Sequence, residues 1–147
     1  MFLYTDWANF TILDMLEQSQ ISDEYIIKLM SHIVNAQFVW LDRVIKQQHN
    51  FKVWGVLTYP EIRTALLENQ ALWMTYLNES EPEHLSTIIS YTNQSGSPFE
   101  SVSSDIITQV INHSTYHRAQ IAKALRELGF TPPNTDFIMY CRLQENS

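Results

Sequence analysis

Apolar positions return every three or four residues over four long stretches of this chain, the period of an amphipathic helix. The first stretch covers roughly residues 4–18, with Tyr4, Ala8, Ile12, Met15 and Leu16 on one side and Trp7 nearby. The second opens at Ser22, a residue type that caps helix N-termini, with Asp23 and Glu24 in the first turn complementing the helix dipole. It continues to about Lys46 along a stripe of Ile26, Leu29, Ile33, Ala36, Trp40 and Val44, and His32 borders that stripe. Over residues 49–57 the period is lost and Gly55 appears, which predicts a loop. Thr58 and Glu61 have capping-box spacing, with Pro60 in the first turn where its missing N–H does no harm. A third helix then runs to about Asn78 through Ile62, Leu66, Trp73 and Leu77.

Glu81-Pro82-Glu83-His84 ends that helix, residues 87–91 are β-prone, and residues 93–98 are rich in turn formers. A short hairpin or extended crossover is predicted there. The fourth helix opens near Ser103 or Ser104 and stops at Gly129, well placed as the residue after a helix C-cap. Pro132-Pro133 forbids continuation, and residues 135–142 are expected as an extended tail packed back on the helices. The prediction is an all-α, four-helix bundle with a long third crossover, forming a single domain over residues 1–147.

Composition narrows the function classes. With 45% apolar and 12% aromatic residues, the chain has the material for a packed core and lacks the signature of disorder. A formal charge of −7, with nine basic residues scattered and unclustered, argues against nucleic acid and anionic membranes as partners. A single cysteine, Cys141, excludes an internal disulfide and fits a reducing compartment. The opening Met1-Phe2-Leu3-Tyr4-Thr5-Asp6-Trp7 has no basic n-region, and no apolar window approaches a membrane span, so a cytoplasmic location is expected.

The candidate chemistry lies in the fourth helix. His113 and His117 are one turn apart, so their imidazoles leave the same helical face. That face carries Ile106, Val110, Ile121, Ala124 and Leu128, flanked by Ile107, Ile111 and Leu125, which points both rings at the core. Two neutral imidazoles so placed can share a metal ion, and His32 supplies a third ligand from the second helix. The competing structural reading is a polar core network involving Asn112, Tyr116 and Asp136. Glu81 and His84 have the Glu-x-x-His spacing of di-iron bundles, but the motif occurs once and contains a proline. His49 falls in polar loop sequence and is expected to be solvated. Trp7, Trp40 and Trp73 are candidates for lining a pocket.

These residues together resemble the DinB-like (damage-inducible, YfiT-related) superfamily of metal-binding four-helix bundles. The resemblance covers nearly the whole chain. It is carried by Trp7-Ala8-Asn9, His32-Ile33-Val34-Asn35-Ala36, Trp40-Leu41-Asp42-Arg43, Asn112-His113, Tyr116-His117-Arg118, Gly129-Phe130-Thr131-Pro132-Pro133 and Thr135-Asp136-Phe137. It implies a metal triad of His32, His113 and His117, the residues already selected by the stripes. Ala119 departs from the glycine common in the family's His-Arg-Gly-Gln run and leaves the ligands intact.

Three protein ligands leave a coordination position open to water or substrate. All-imidazole ligation suits zinc, nickel, iron or copper, so the residues do not name the divalent ion. The superfamily includes transferases that add low-molecular-weight thiols to electrophiles. The leading expectation is therefore metal-dependent thiol S-transfer to a small-molecule substrate, with Asn112, Gln120 and Asp136 as supports for the ligands. Metal-assisted hydrolysis and a non-enzymatic metal-binding or stress-associated role are the alternatives. Bundles of this kind often pair, so a homodimer is a further expectation.

Overall fold

A computed structural model describes residues 1–47, 52–80, 82–93 and 95–145. It is an α-helical bundle with a small two-stranded sheet. Helix α1 covers Phe2–Gln18, α2 Glu24–Ile45, α3 Tyr59–Glu79 and α4 Ser103–Glu127. Between α3 and α4 lie a 3₁₀ turn, Pro82–Ser86, and strands β1 (Ile88–Thr92) and β2 (Pro98–Val102). The strands pair antiparallel with Ile88 opposite Val102, and the Asn93 side-chain oxygen accepts from the Ser95 and Ser97 N–H groups to close the turn.

Local chemistry explains the helix limits. Asp23, not Ser22, caps α2: its Oδ1 accepts from the Ile26 N–H at 3.0 Å. Both residues are good caps, and the one in extended conformation immediately before the first turn takes the role. The Thr58–Glu61 capping box forms as expected. Gly129 ends α4 at φ +86°, a conformation costly for any residue with a Cβ.

The expected extended tail is corrected: after residues 131–136 the chain forms a fifth helix, α5, Phe137–Glu145. Its first turn is started by the Asp136 carbonyl, which accepts from the Met139 and Tyr140 N–H groups. Phe137 and Tyr140 pack against Tyr4, and Tyr140 also meets Trp7. The Tyr4 hydroxyl donates to the Thr135 carbonyl at 2.8 Å, tying α1 to this segment. Packing back on the bundle is thus as expected, but through a helix.

Helix α2 packs against α3 and α4, and α1 packs against the same two, so α1 and α2 are set diagonally. Two apolar clusters fill the interior. One contains Ile12, Leu16, Ile26, Ile33, Ile62 and Ile121; the other contains Phe2, Leu41, Trp73, Ile89, Ile106 and Val110. Between them along the helices lies a buried polar layer that includes Thr5, Asp6, Asn9, Asn69, Ser114 and Arg118. Helices α2 and α3 both run from the first cluster towards the second. Residues 52–57 lie beside the middle of α2, hydrogen-bonded to Ser31, His32 and Asn35, and lead into α3. The longer α3–α4 connection stays at one end, where Ile89 of the hairpin joins the second cluster. Trp73 is fully buried there at 0% exposure and packs in the core against Phe2 and Tyr76.

Candidate metal centre

His32 projects from the middle of α2, and His113 and His117 project from successive turns of α4. His32 is 5% exposed and His117 8%, while His113 is half-buried. The Nε2 atom of His113 lies 3.1 Å from His32 Nε2 and 3.1 Å from His117 Nε2. All three ligand atoms fall within 4.8 Å of one another. Nitrogens bound tetrahedrally to zinc at about 2.0–2.1 Å would be separated by roughly 3.3 Å, so the spacing suits a common ion.

The outer nitrogens determine what the inner ones can do. His32 Nδ1 is 3.0 Å from the Val53 carbonyl oxygen, which can only accept, so Nδ1 carries the proton and Nε2 a lone pair. His117 Nδ1 sits 2.7 Å from Gln120 Oε1, which fixes the same tautomer. His113 can offer one Nε2 proton between two facing lone pairs, or none. With that proton on Nδ1, three lone pairs meet and a cation is the complementary guest.

Burial and neighbouring rings keep His32 and His113 in their ligating form. Burial is the main cause that pushes His113 down to about 4, and the neighbouring His117 and His32 add to it. Burial also lowers His32, partly offset by the Val53 carbonyl, with His117 lowering it further. Neutral imidazole is the form that binds metal.

Of the three supports expected from the sequence, only Gln120 touches a ligand. Asn112 and Asp136 are exposed, and the Asp136 N–H bonds to Asn134 Oδ1. Tyr116 is 62% exposed, with its ring centroid 5.1 Å from that of His117. His84 is exposed in the 3₁₀ turn, while Glu81 and His49 lie outside the described residues. The sequence pattern missed Trp54. Its indole stacks on His32 with centroids 3.6 Å apart and planes at 4°. An unpatterned loop gave no sign of this partner; its large aromatic residue beside Gly55 was the only available hint.

Comparisons with known proteins agree with this architecture. The family model described as DinB family matches residues 2–147. The chain is 22% identical over 163 residues to Protein DinB of Bacillus subtilis (strain 168), covering 95% of this chain and 91% of that protein. A crystal structure of a DinB-like protein from Bacillus cereus aligns with a TM-score of 0.69 at 22% identity. That alignment covers 90% of this chain and 91% of the other and establishes likeness of fold.

Proposed function

This chain belongs to the DinB family, and from that premise we propose that it binds one divalent transition metal through His32, His113 and His117. The further reading is that the centre serves transfer of a low-molecular-weight thiol to a small electrophile. The observation that carries the metal site is the convergence of three Nε2 atoms, two of them with their outer nitrogens tied to acceptors. When bound, such an ion lowers the pKa of a thiol or water at its open position.

The chain's own residues supply the rest. The Val53 carbonyl and Gln120 hold His32 and His117 in the tautomer whose Nε2 ligates. Neutral rings add no charge of their own, which favours an anionic fourth ligand such as a thiolate. The exposed rings of Trp54 and Tyr116 flank the cluster and offer apolar surface to an electrophile. Among the described residues no carboxylate joins the three imidazoles. Hydrolysis by bound hydroxide, which needs a proton shuttle, therefore ranks below thiol transfer. The single cysteine, and the lack of any helix among the described residues long and apolar enough to cross a membrane, support a cytoplasmic setting.

The test is elemental analysis of untagged wild type beside His113→Ala, followed by thiol-conjugation assays. Near-stoichiometric metal in wild type, lost together with conjugation in the variant, is expected. No metal in freshly purified or reconstituted wild type overturns the proposal. Stoichiometric metal without an exchangeable position points instead to the non-enzymatic role.

A further inference from the structure

The segment of residues 52–57 that leads into α3 does more than join two helices. It is pinned to α2 at three successive places: Val53 O to His32 Nδ1 at 3.0 Å, Gly55 O to Asn35 Nδ2 at 2.8 Å, and Leu57 N–H to Ser31 Oγ at 3.0 Å. The Gly55 N–H donates to the Lys52 carbonyl at 2.7 Å, closing a tight turn around Trp54. A Cβ at position 55 would lie 3.1 Å from that carbonyl, so the bend has little room for a larger residue. The result is an indole laid flat on the His32 imidazole, at 3.6 Å and 4°, while the residue as a whole stays 51% exposed. Burial of apolar surface is therefore only part of what places it. The same indole meets His117 edge-on, with centroids 6.3 Å apart.

We propose that Trp54 is a positioning residue for the three-imidazole centre, holding the His32 ring in its ligating orientation and favouring the metal-bound state over the free one. The proposal rests on the metal-binding reading given above. Two effects combine. The Val53 carbonyl fixes which His32 nitrogen faces inward, and the indole blocks rotation of the ring about its outer bonds. Coordination also draws electron density from the imidazole, and an electron-poor ring is held more strongly against the face of tryptophan than a neutral one. The stack is therefore strongest when the site is filled. Partners that orient metal-ligating histidines typically contribute about 10–100-fold to affinity.

The experiment is a zinc titration of the full chain, stripped with chelator, in competition with a chromophoric chelator. Wild type, Trp54→Leu and Trp54→Phe are compared, with tryptophan emission followed throughout. Trp54→Leu is expected to bind zinc with unchanged stoichiometry and at least about 10-fold lower affinity. Trp54→Phe, which restores a flat ring, stays within about 3-fold of wild type. Zinc changes wild-type emission, and the change is absent from Trp54→Phe, whose remaining tryptophans do not stack on a ligand. A purely structural role for Trp54 would leave the zinc affinity of the folded variants unchanged, while the emission change reports that the stacked ring senses the ion and needs no folded leucine variant. Equal affinities for wild type and Trp54→Leu, or zinc binding to wild type without an emission change, overturn the proposal and leave the metal site standing. Failure of wild type to bind zinc overturns the metal reading itself.

Discussion

Two of the regions where the bundle buries polar side chains differ in the atoms left without partners. At the histidine cluster, His32 and His117 each give their outer nitrogen to a protein acceptor, and the remaining nitrogens face one another at 3.1 Å. In the layer between the apolar clusters, the atoms without a protein partner are Thr5 Oγ1, Asp6 Oδ2, Asn9 Nδ2, Gln37 Oε1, Asn69 Oδ1 and Arg118 Nε. These mix donors and acceptors and are contributed by all four long helices. Both regions violate the apolar core, but only the first gathers one kind of atom on one point. Convergence of like atoms, rather than burial of polar ones, distinguishes a ligand site from a polar layer that divides the core. The layer should accordingly govern stability and the cluster metal affinity.

The largest expected effect tests the layer through pH. Burial raises the Asp6 carboxyl to about 7, against a weaker opposing hydrogen bond from Gln70. Between about pH 4 and 7 the folded chain thus holds a proton that the unfolded chain, with an ordinary aspartate near 3.9, has released. This contribution is fully present below pH 4 and is lost as pH rises through 7, to an extent on the order of 4 kcal/mol. Denaturant unfolding of Asp6→Asn across that range should show the slope removed, with the variant more stable than wild type at pH 8 and similar at pH 4. An unchanged slope would mean that the carboxyl is not held neutral.

Next in size is Arg118→Ala. The guanidinium donates to Asn9 Oδ1 at 2.8 Å and to Thr115 Oγ1 at 2.9 Å, and it lies 5.5 Å from the Tyr4 ring centroid. Its removal leaves a cavity and a buried amide oxygen, a loss of about 3 kcal/mol by denaturant titration. Zinc affinity should stay within about 3-fold, because coordinating side chains are untouched. Smallest is Gln120→Ala, which frees His117 Nδ1 and should lower zinc affinity about 10-fold with little change in unfolding free energy. If Arg118→Ala weakened zinc as much as Gln120→Ala, the two regions would be one coupled network and the contrast would fail.

Much of this was legible in the sequence where local rules act. The four-residue spacing of His113 and His117 on an apolar stripe placed them together, and His32 on the edge of another stripe completed the set. The Thr58–Glu61 capping box and Gly129 stop depend on chain neighbours alone and appear as expected. What escaped depends on contacts distant in sequence. Trp54 meets His32 because residues 52–57 lie against the middle of α2, and no period reports that. The α5 helix is stabilised by Tyr4 and Trp7, on the opposite end of the chain. The burial of Thr5, Asp6 and Asn9 on α1 was not legible, because polar letters carry no sign of burial. Ser22 and Asp23 are alternative caps one residue apart, and backbone geometry chose between them.

The separation of the three histidines along the chain also gives the proposed centre a place in time. His32 is synthesised early, whereas His113 and His117 belong to the last of the four long helices. At about 5–20 residues per second, roughly 4–17 seconds separate the first ligand from the third on the ribosome. Until His113 is made, the emerging chain carries only one of these three histidines and has no cage to close. An ion can therefore act as a seal on a nearly finished bundle, and any truncation before residue 117 should release a chain that cannot be rescued by metal.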